Sequence, residues 1–248
     1  MVKTSVNGER KPPNIVRILY DLQRMQDNHP EYISPEELEP RLEQLRAWQS
    51  VRLAATYADL LAESQFNPAC NFFLSDVYAA HDLSQRDRDF ERLHDMLARL
   101  LPAYMLRLLK SAIQLNQLSN ALDQALLKAI FYRQSGVDAI TPELYTEGYR
   151  ICDNYEARLA QIELLVDILR EVGEGSHLPL VGLTLRLARA PAQRFGWFEL
   201  HDFLMRGYTA FRQMHAVDRF VSTIEKREIR ILDAIFAGNP DPFSASEN

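Results

Sequence analysis

Few residues of this chain have the types and spacing of a chemical site, and a glutamate and a histidine near residue 90 are the first of them. Glu91 and His94 lie three residues apart. On a helix they share one face, as two ligands of a carboxylate-bridged di-metal site do. Asp87 extends this polar stripe by one turn. A di-iron bundle of the usual pattern supplies the motif twice and this chain has it once, so a solvated polar edge is the simpler interpretation.

Two more histidines, His201 and His215, fall on the apolar stripe of a later helix, and we expect both imidazole rings to be buried. Buried neutral histidines usually hydrogen-bond to a carbonyl or a carboxylate and take no part in chemistry. If Glu91 and His94 face the same interior, His201 would complete a site for iron, manganese or zinc. These residues form the metal-centre hypothesis; the sequence favours no particular cofactor.

Two carboxylates interrupt apolar faces. Asp76 follows a pair of phenylalanines by one turn, and Glu228 replaces an apolar residue in the pattern of the last helix. A buried carboxylate is costly unless paired, so each should have an Arg, Lys or hydroxyl partner or a raised pKa. We consider Arg227, Arg230 and the arginines of segment 86–89 as partners. A structural ion pair is the simpler interpretation, and a ligand-binding or catalytic carboxylate is the alternative.

A basic cluster is formed by Arg186, Arg189 and Arg194. Guanidinium groups match the oxygens of a phosphate or of an acidic partner, so the cluster is a candidate anion-binding site. Three arginines within nine residues of an acidic protein are more often a solvated face.

The sequence predicts that all the elements that position these residues are helices. Apolar residues recur at helical spacing around a central hairpin at 67–102, in which Asn67 caps the first arm. We expect a leader at 1–13, a single helical domain at 14–236 and a disordered tail at 237–248. The expected helices outside the hairpin are 14–26, 39–64, 104–133, 142–173, 176–190 and 195–236, the last with a bend near residue 215.

Composition supports an all-α, multi-helix bundle with long amphipathic helices. The 248 residues include only nine glycines and are 47% hydrophobic, enough for a full core. A net charge of −6 speaks against nucleic acid as a partner. No apolar run is long enough to span a bilayer and no signal peptide is seen, so we expect a cytoplasmic protein. Cys70 and Cys152 show no metal-ligand spacing and should be buried, inert thiols.

A resemblance rests on three short segments. The sequences FFLSDVY at 72–78, SQRD at 84–87 and LLP at 100–102 resemble a family of uncharacterised all-helical bacterial proteins. A later stretch, around Ala190 to Ala192, Gly196 and residues 203–211, is also similar. The likeness covers most of the chain from about Trp48 to Phe236. It implies a bacterial, cytoplasmic helical protein and supplies no activity. A comparison with heme-oxygenase-like folds rests on fold class alone.

Three functions remain open at this point. The first is a non-catalytic interaction or regulatory protein that binds a protein partner or a second copy, because no P-loop, GxGxxG, GxSxG, HExxH or CxxC motif occurs. The second is a metal-dependent enzyme built on Glu91, His94 and His201. The third is a small-ligand sensor whose pocket is lined by the aromatic stripe of Trp197, Tyr208 and Phe211 and in which Asp76 or an arginine orients the ligand.

Overall fold

A computed structural model describes residues 14–27, 35–77, 101–133 and 139–244 of the chain. The predicted all-α class is confirmed: these ranges contain ten α-helices, one π-helical turn at Phe73–Val77 and no strand. None of the described helices is both long enough and apolar enough to cross a bilayer. The helices are α1 (Ile15–Asp27), α2 (Pro35–Thr56), α3 (Ala58–Ala62), α4 (Asn67–Phe72), α5 (Ala103–Arg133), α6 (Pro142–Cys152), α7 (Tyr155–Ser176), α8 (Pro179–Phe195), α9 (Phe198–Arg212) and α10 (Val217–Phe236).

The 31-residue helix α5 contributes to all three apolar clusters of the described ranges. Its C-terminal half contributes Leu126, Leu127 and Ile130 to the main core, which also contains residues of α2, α6, α7 and α10. Its middle packs on α1 and on the start of α7 through Leu118 and Leu122. Its N-terminal half packs on α8. Because α5 contacts three separate apolar clusters, it sets the positions of the helices around it.

The second helix differs from the prediction at both ends. It begins at Pro35, not near residue 39, and continues through Pro40, although proline removes one intrahelical hydrogen bond. The buried residues Leu42 and Leu45 follow Pro40, and Leu38 packs on the same core just before it, so burial on both sides holds the helix through the proline. The predicted helix at 39–64 is also interrupted at Tyr57, where φ is −113° and ψ is 23°.

The predicted helix at 142–173 consists of two helices. Asp153 adopts a left-handed conformation, with φ 46° and ψ 39°, and ends α6. Aspartate tolerates this conformation better than most residues do, and the periodicity of the apolar residues gives no sign of the break. The second of the two helices, α7, continues past Gly173 to Ser176.

Helix α8 passes through Pro191, where the sequence predicted its end. The buried residues Ala188 and Ala192 stand on either side of this proline, and the helix ends instead at Gly196, whose φ is 77°. The predicted bend near residue 215 is confirmed, since α9 ends at Arg212 and α10 begins at Val217.

Residues 237–244, which follow α10, pack on the core through Phe243, whereas the sequence predicted a disordered tail at 237–248; residues 245–248 lie outside the described ranges. The ring of Phe243 lies 5.9 Å from that of Trp48 and 6.1 Å from that of Tyr145. The central hairpin can be followed only in its first arm, because residues 78–100 lie outside the described ranges. In that arm Asn67 is the first helical residue and not the cap, which is Phe66.

Candidate functional site

The carboxylate of Glu228 has the partners that its predicted burial requires. It accepts hydrogen bonds from Nη1 of Arg52 at 2.7 Å and from the hydroxyl of Tyr57 at 2.8 Å. Burial, and after it the Glu228 carboxylate, raises the pKa of Tyr57 well above its usual value. The expected ion pair is present, but its arginine comes from α2. Arg227, which the sequence proposed for this role, forms a two-pronged pair with Asp59 at 2.7 Å per bond.

Asp76 is also paired, with an arginine that the sequence did not single out. It lies in the π-helical turn and accepts a hydrogen bond from Nε of Arg206 on α9 at 2.8 Å; the hydroxyl of Ser75 is 3.0 Å away but has a nearer acceptor in the carbonyl oxygen of Asn71, at 2.7 Å. The interaction joins the turn after α4 to α9. It is therefore a structural ion pair at the edge of the apolar face.

The two histidines of the apolar stripe have different environments. His201 is buried as predicted, and its Nε2 lies 2.8 Å from the carbonyl oxygen of Leu185. Because a carbonyl only accepts, Nε2 must carry the proton, and the buried Nδ1 is left as an acceptor without a hydrogen-bond partner among the described residues. The prediction for His215 was wrong: it is exposed and lies beyond the end of α9.

The metal-centre hypothesis stays a prediction. Asp87, Glu91 and His94 lie outside the residues that the structure describes. In the described ranges, no group of three His, Cys, Asp or Glu side chains could hold a metal ion.

The three arginines of the basic cluster, Arg186, Arg189 and Arg194, are exposed on α8. Nε of Arg186 donates to the carbonyl oxygen of Gly182 in the preceding turn, at 3.1 Å. The guanidinium group of Arg194 lies 5.8 Å from the centre of the Phe195 ring. In the described part of the chain none of the three forms an ion pair, so this surface keeps its positive charge.

A cavity of about 430 Å³ lies inside the helical fold. It follows α5 from Tyr104 to Gln124 and α7 from Arg158 to Ser176. The two helices run in opposite directions along it, because Arg158 reaches α5 at Leu122 while Gly175 lies against the ring of Tyr104. The cavity is therefore elongated: 20 residues of α-helix correspond to about 30 Å.

The wall of this cavity changes from apolar to polar along α5. The first half of the helix contributes Leu108, Leu109, Ala112 and Ile113, and α9 adds Phe203 and Leu204. The second half contributes a polar stripe at spacings of three and four residues, made of Asn116, Ser119, Asn120 and Asp123. Along α5 the wall is thus apolar between Leu108 and Ile113 and polar between Asn116 and Asp123, and we call the latter part the polar end; the hydroxyl groups of Tyr104, Ser176 and Tyr208 lie toward the opposite end.

Side chains from two neighbouring helices hold the polar stripe in place. Nη2 of Arg46 on α2 donates to Asn120 at 2.9 Å, and Nε2 of Gln161 on α7 donates to the hydroxyl of Ser119 at 2.7 Å. Nε2 of Gln49, which is also on α2, donates to Asp123 at 3.1 Å. The polar end is therefore built jointly by α2, α5 and α7.

Arg158 is the most deeply buried charge of the polar end, with a side chain that is 4% exposed. Its Nη2 donates to the carbonyl oxygen of Leu122 at 3.1 Å, and its guanidinium group lies 4.3 Å from the centre of the Tyr149 ring. Its Nη1 is 3.9 Å from the carboxylate of Asp123, which is a loose ion pair. Nε of Arg158 is buried without a hydrogen-bond partner in the described ranges. One donor of this arginine is therefore still unused.

The carboxyl group of Asp123 is held in a setting that favours its neutral form. Burial raises its pKa, and Arg158, Gln49 and Arg46 oppose the rise without cancelling it.

The aromatic stripe predicted to line a pocket does so in part. Tyr208 and Phe211 line the cavity, whereas Trp197 is buried in the cluster between α8 and the start of α5. The polar stripe of α5 was missed, although the four polar residues at helical spacing inside a leucine-rich helix are visible in the sequence.

The thiols are predicted to be inert, and burial raises the pKa of both Cys70 and Cys152 to about 11. Cys70 is buried, and Cys152 is half-buried. Both thiols are thus protonated near neutral pH, and neither is a candidate nucleophile.

Comparison with known proteins identifies a family. A family model described as a domain of unknown function (DUF8198) matches residues 28–242. No curated protein and no solved structure matches the chain. The resemblance to an uncharacterised family is thus confirmed, over more of the chain than the sequence motifs covered.

Proposed function

The chain belongs to the family DUF8198, a domain of unknown function with no assigned activity, so we propose a function from the cavity. The protein binds a small single-chain amphiphile with an anionic head group. The observation that carries the proposal is an elongated apolar cavity with one arginine-bearing polar end. The protein acts as a binding protein or sensor, in line with the small-ligand hypothesis from the sequence.

The shape of the cavity supports a chain-like ligand. A volume of about 430 Å³ lies within the ~300–1,000 Å³ range of small-molecule sites. Spread over about 30 Å of helix, this volume is narrow. Its apolar wall would bury a hydrocarbon chain, at ~0.8 kcal/mol per methylene group. A compact polar ligand would leave most of this wall unused.

The charges around the cavity support an anionic head group. Its largely buried charged side chains are three arginines, Arg46, Arg52 and Arg158, and two carboxylates, Asp123 and Glu228, which leaves one positive charge in excess among the buried groups; the remaining carboxylates of its wall, those of Glu39 and Glu171, are exposed. Glu39 lies 3.8 Å from Arg46, but its side chain is 68% exposed and solvent weakens the pair. A ligand carboxylate at Nε of Arg158 would satisfy the unused donor and balance the charge.

The test is a titration of delipidated protein with saturated fatty acids of increasing chain length and with the matching n-alcohols, followed by calorimetry. We expect one fatty acid to bind per protein, more tightly as the chain lengthens until the cavity is filled, and the alcohols to bind more weakly. Replacing Arg158 by Met should weaken fatty-acid binding roughly 10- to 100-fold, because a hydrogen bond to a charged group contributes ~1.5–3 kcal/mol.

A pair of phenylalanine variants tests the proposal even if Arg158→Met does not fold. Ala112 lies in the apolar wall, so Ala112→Phe should shorten the longest chain that binds. Ala103→Phe introduces the same ring at the exposed start of the same helix and should leave binding unchanged. The proposal is wrong if no fatty acid binds, if alcohols bind equally well, or if the two phenylalanine variants behave alike.

From the sequence we also propose that the protein binds a protein partner or a second copy of itself, that its source is bacterial and that it is located in the cytoplasm. The dimer can be tested directly by light scattering on the purified protein. A metal-dependent reaction at Glu91, His94 and His201 would require bound metal, which elemental analysis of untagged protein would detect.

A further inference from the structure

Helix α8 presents a row of leucines to solvent. Leu180, Leu183 and Leu187 follow at spacings of three and four residues and are 72%, 46% and 68% exposed. The exposed rings of Phe195 and Phe198 continue the apolar surface at the end of the helix. We call these five residues the α8 outer face. Single exposed apolar residues are ordinary, but five of them on one helix and its immediate end indicate a contact surface.

The same helix is strongly basic in an acidic protein. Its sequence, PLVGLTLRLARAPAQRF, contains three arginines and no carboxylate, whereas the whole chain has a net charge of −6. Arg186 lies one turn from Leu183, and Arg194 lies two turns after Leu187, so both border the row of leucines. The α8 outer face therefore combines apolar side chains with a positive rim.

The opposite side of α8 forms part of the cavity wall. Val181 and Leu185 line the cavity, and Gly182 leaves room for the hydroxyl of Tyr208, which any larger residue there would meet. A single helix thus separates the ligand cavity from the α8 outer face.

The charge of the helix argues against a second copy as the occupant of this face. A symmetric dimer places the same patch on both subunits, so two α8 helices in contact would bring arginines together with no carboxylate of the helix to neutralise them. The occupant should instead be anionic.

The shape of the face favours a lipid surface over an acidic peptide. Leu180 and Leu187 protrude from a convex helix instead of lining a groove, so they can insert between lipids but offer a peptide no cleft. Apolar residues on one side and arginines along the border are typical of helices that lie in a membrane interface, with the guanidinium groups among the phosphates.

We propose that the α8 outer face docks on an anionic lipid surface, which brings the cavity wall to the place where single-chain amphiphiles reside. The purpose of this docking rests on the proposed function, but the docking itself can be measured separately. It involves the leucines for insertion and the arginines for contact with lipid phosphates.

The experiment is flotation of the full chain with vesicles of phosphatidylcholine alone and of phosphatidylcholine with about one third phosphatidylglycerol. We expect the protein to float with the anionic vesicles and less with the neutral ones. The double variant Leu180→Ser/Leu187→Ser should lose binding at least tenfold, and Arg186→Gln/Arg194→Gln should lose the preference for anionic lipid. Val51→Ser is the matched control, because Val51 on α2 is also 72% exposed.

The two proposals fail in distinguishable ways. No variant in the flotation experiment touches the cavity, so fatty-acid affinity in solution should be the same in all of them. Flotation without fatty-acid binding would overturn the proposed function and leave the docking surface intact. The docking proposal is overturned if the protein does not float, which is also the result expected if α8 binds an acidic protein instead. It is overturned as well if the leucine variant floats as the wild type does, or if Val51→Ser reduces flotation as much as the leucine variant.

Discussion

At the scale of single residues, Glu228 holds two partners from a distant part of the chain. Its carboxylate accepts from Arg52 and Tyr57, and all three side chains are largely buried. Replacing Glu228 by Leu deprives Arg52 of its carboxylate and should lower the free energy of unfolding by ~3–5 kcal/mol. Tyr57→Phe removes one hydrogen bond and should cost ~1 kcal/mol. Urea denaturation of both variants measures these differences.

Removal of both charges of the pair serves as the control for Glu228→Leu. In the double variant Arg52→Leu/Glu228→Leu neither charge is buried, so much of the lost stability should return. If the double variant loses as much stability as Glu228→Leu and Arg52→Leu lose together, the pair does not act as a unit.

Asp123 makes stability depend on pH. The pKa of Asp123 is raised in the folded protein, because burial disfavours the charged carboxylate. Its contribution to stability is therefore complete at pH values below the pKa of an aspartate in the unfolded chain, about 3.9. That contribution is lost as pH rises through the pKa of the folded state. Asp123→Asn keeps an oxygen for Gln49 but does not titrate. The free energy of unfolding of the wild type should therefore fall relative to that of the variant as pH rises from about 4.

Urea denaturation of the two proteins at a series of pH values between acid and neutral checks this dependence. A difference that stays constant, or that moves in favour of the wild type as pH rises, would contradict the raised pKa of Asp123.

At the scale of elements, two glycines of α7 should respond oppositely to the same substitution. Both are buried, but a methyl group on Gly173 would collide with Val217 of α10, whereas one on Gly175 would lie 3.4 Å from Cε2 of Tyr104, an ordinary contact. Valine is stiff at χ1 and cannot move aside easily. We expect Gly173→Ala to cost ~1–3 kcal/mol and Gly175→Ala to be neutral or to stabilise by up to ~1 kcal/mol.

Thermal or urea unfolding of the two alanine variants provides the comparison. If the two variants change the free energy of unfolding equally, α7 and α10 are farther apart at Gly173 than they are in the structure.

Helix periodicity predicted α1 and α5 within one or two residues, because each buries a regular apolar stripe. It did not predict the break at Asp153, since the apolar pattern continues across it. It also placed helix ends at Pro40 and Pro191, where packing on both sides of the proline outweighs one lost hydrogen bond. Periodicity reports which side of a segment is buried and not where the backbone changes direction.

At the scale of the whole molecule, the fold class followed from composition and periodicity, but the cavity did not. Its polar end joins Gln49 to Asp123 across 74 positions and Arg158 to Leu122 across 36. Single polar residues such as Asp123 can be seen in the sequence, whereas their partners depend on how α2, α5 and α7 pack. Asp76 and Glu228 were expected to have an Arg, Lys or hydroxyl partner or a raised pKa; both have an arginine, and both arginines come from positions that the sequence did not single out.

The pairing of the second and last helices has a consequence for how the chain reaches this fold. Arg52 of α2 is 176 positions from Glu228, and Asp59 of the neighbouring α3 is 168 positions from Arg227. Most contacts of a helical protein are local and form within microseconds to milliseconds, but these require the closure of a very long loop. During synthesis Arg52 and Asp59 cannot meet Glu228 and Arg227 until α10 has left the ribosome. We expect the surface of α2 and α3 that faces α10 to stay uncovered until then, and this delay, not helix formation, to be the slow step in completing the core.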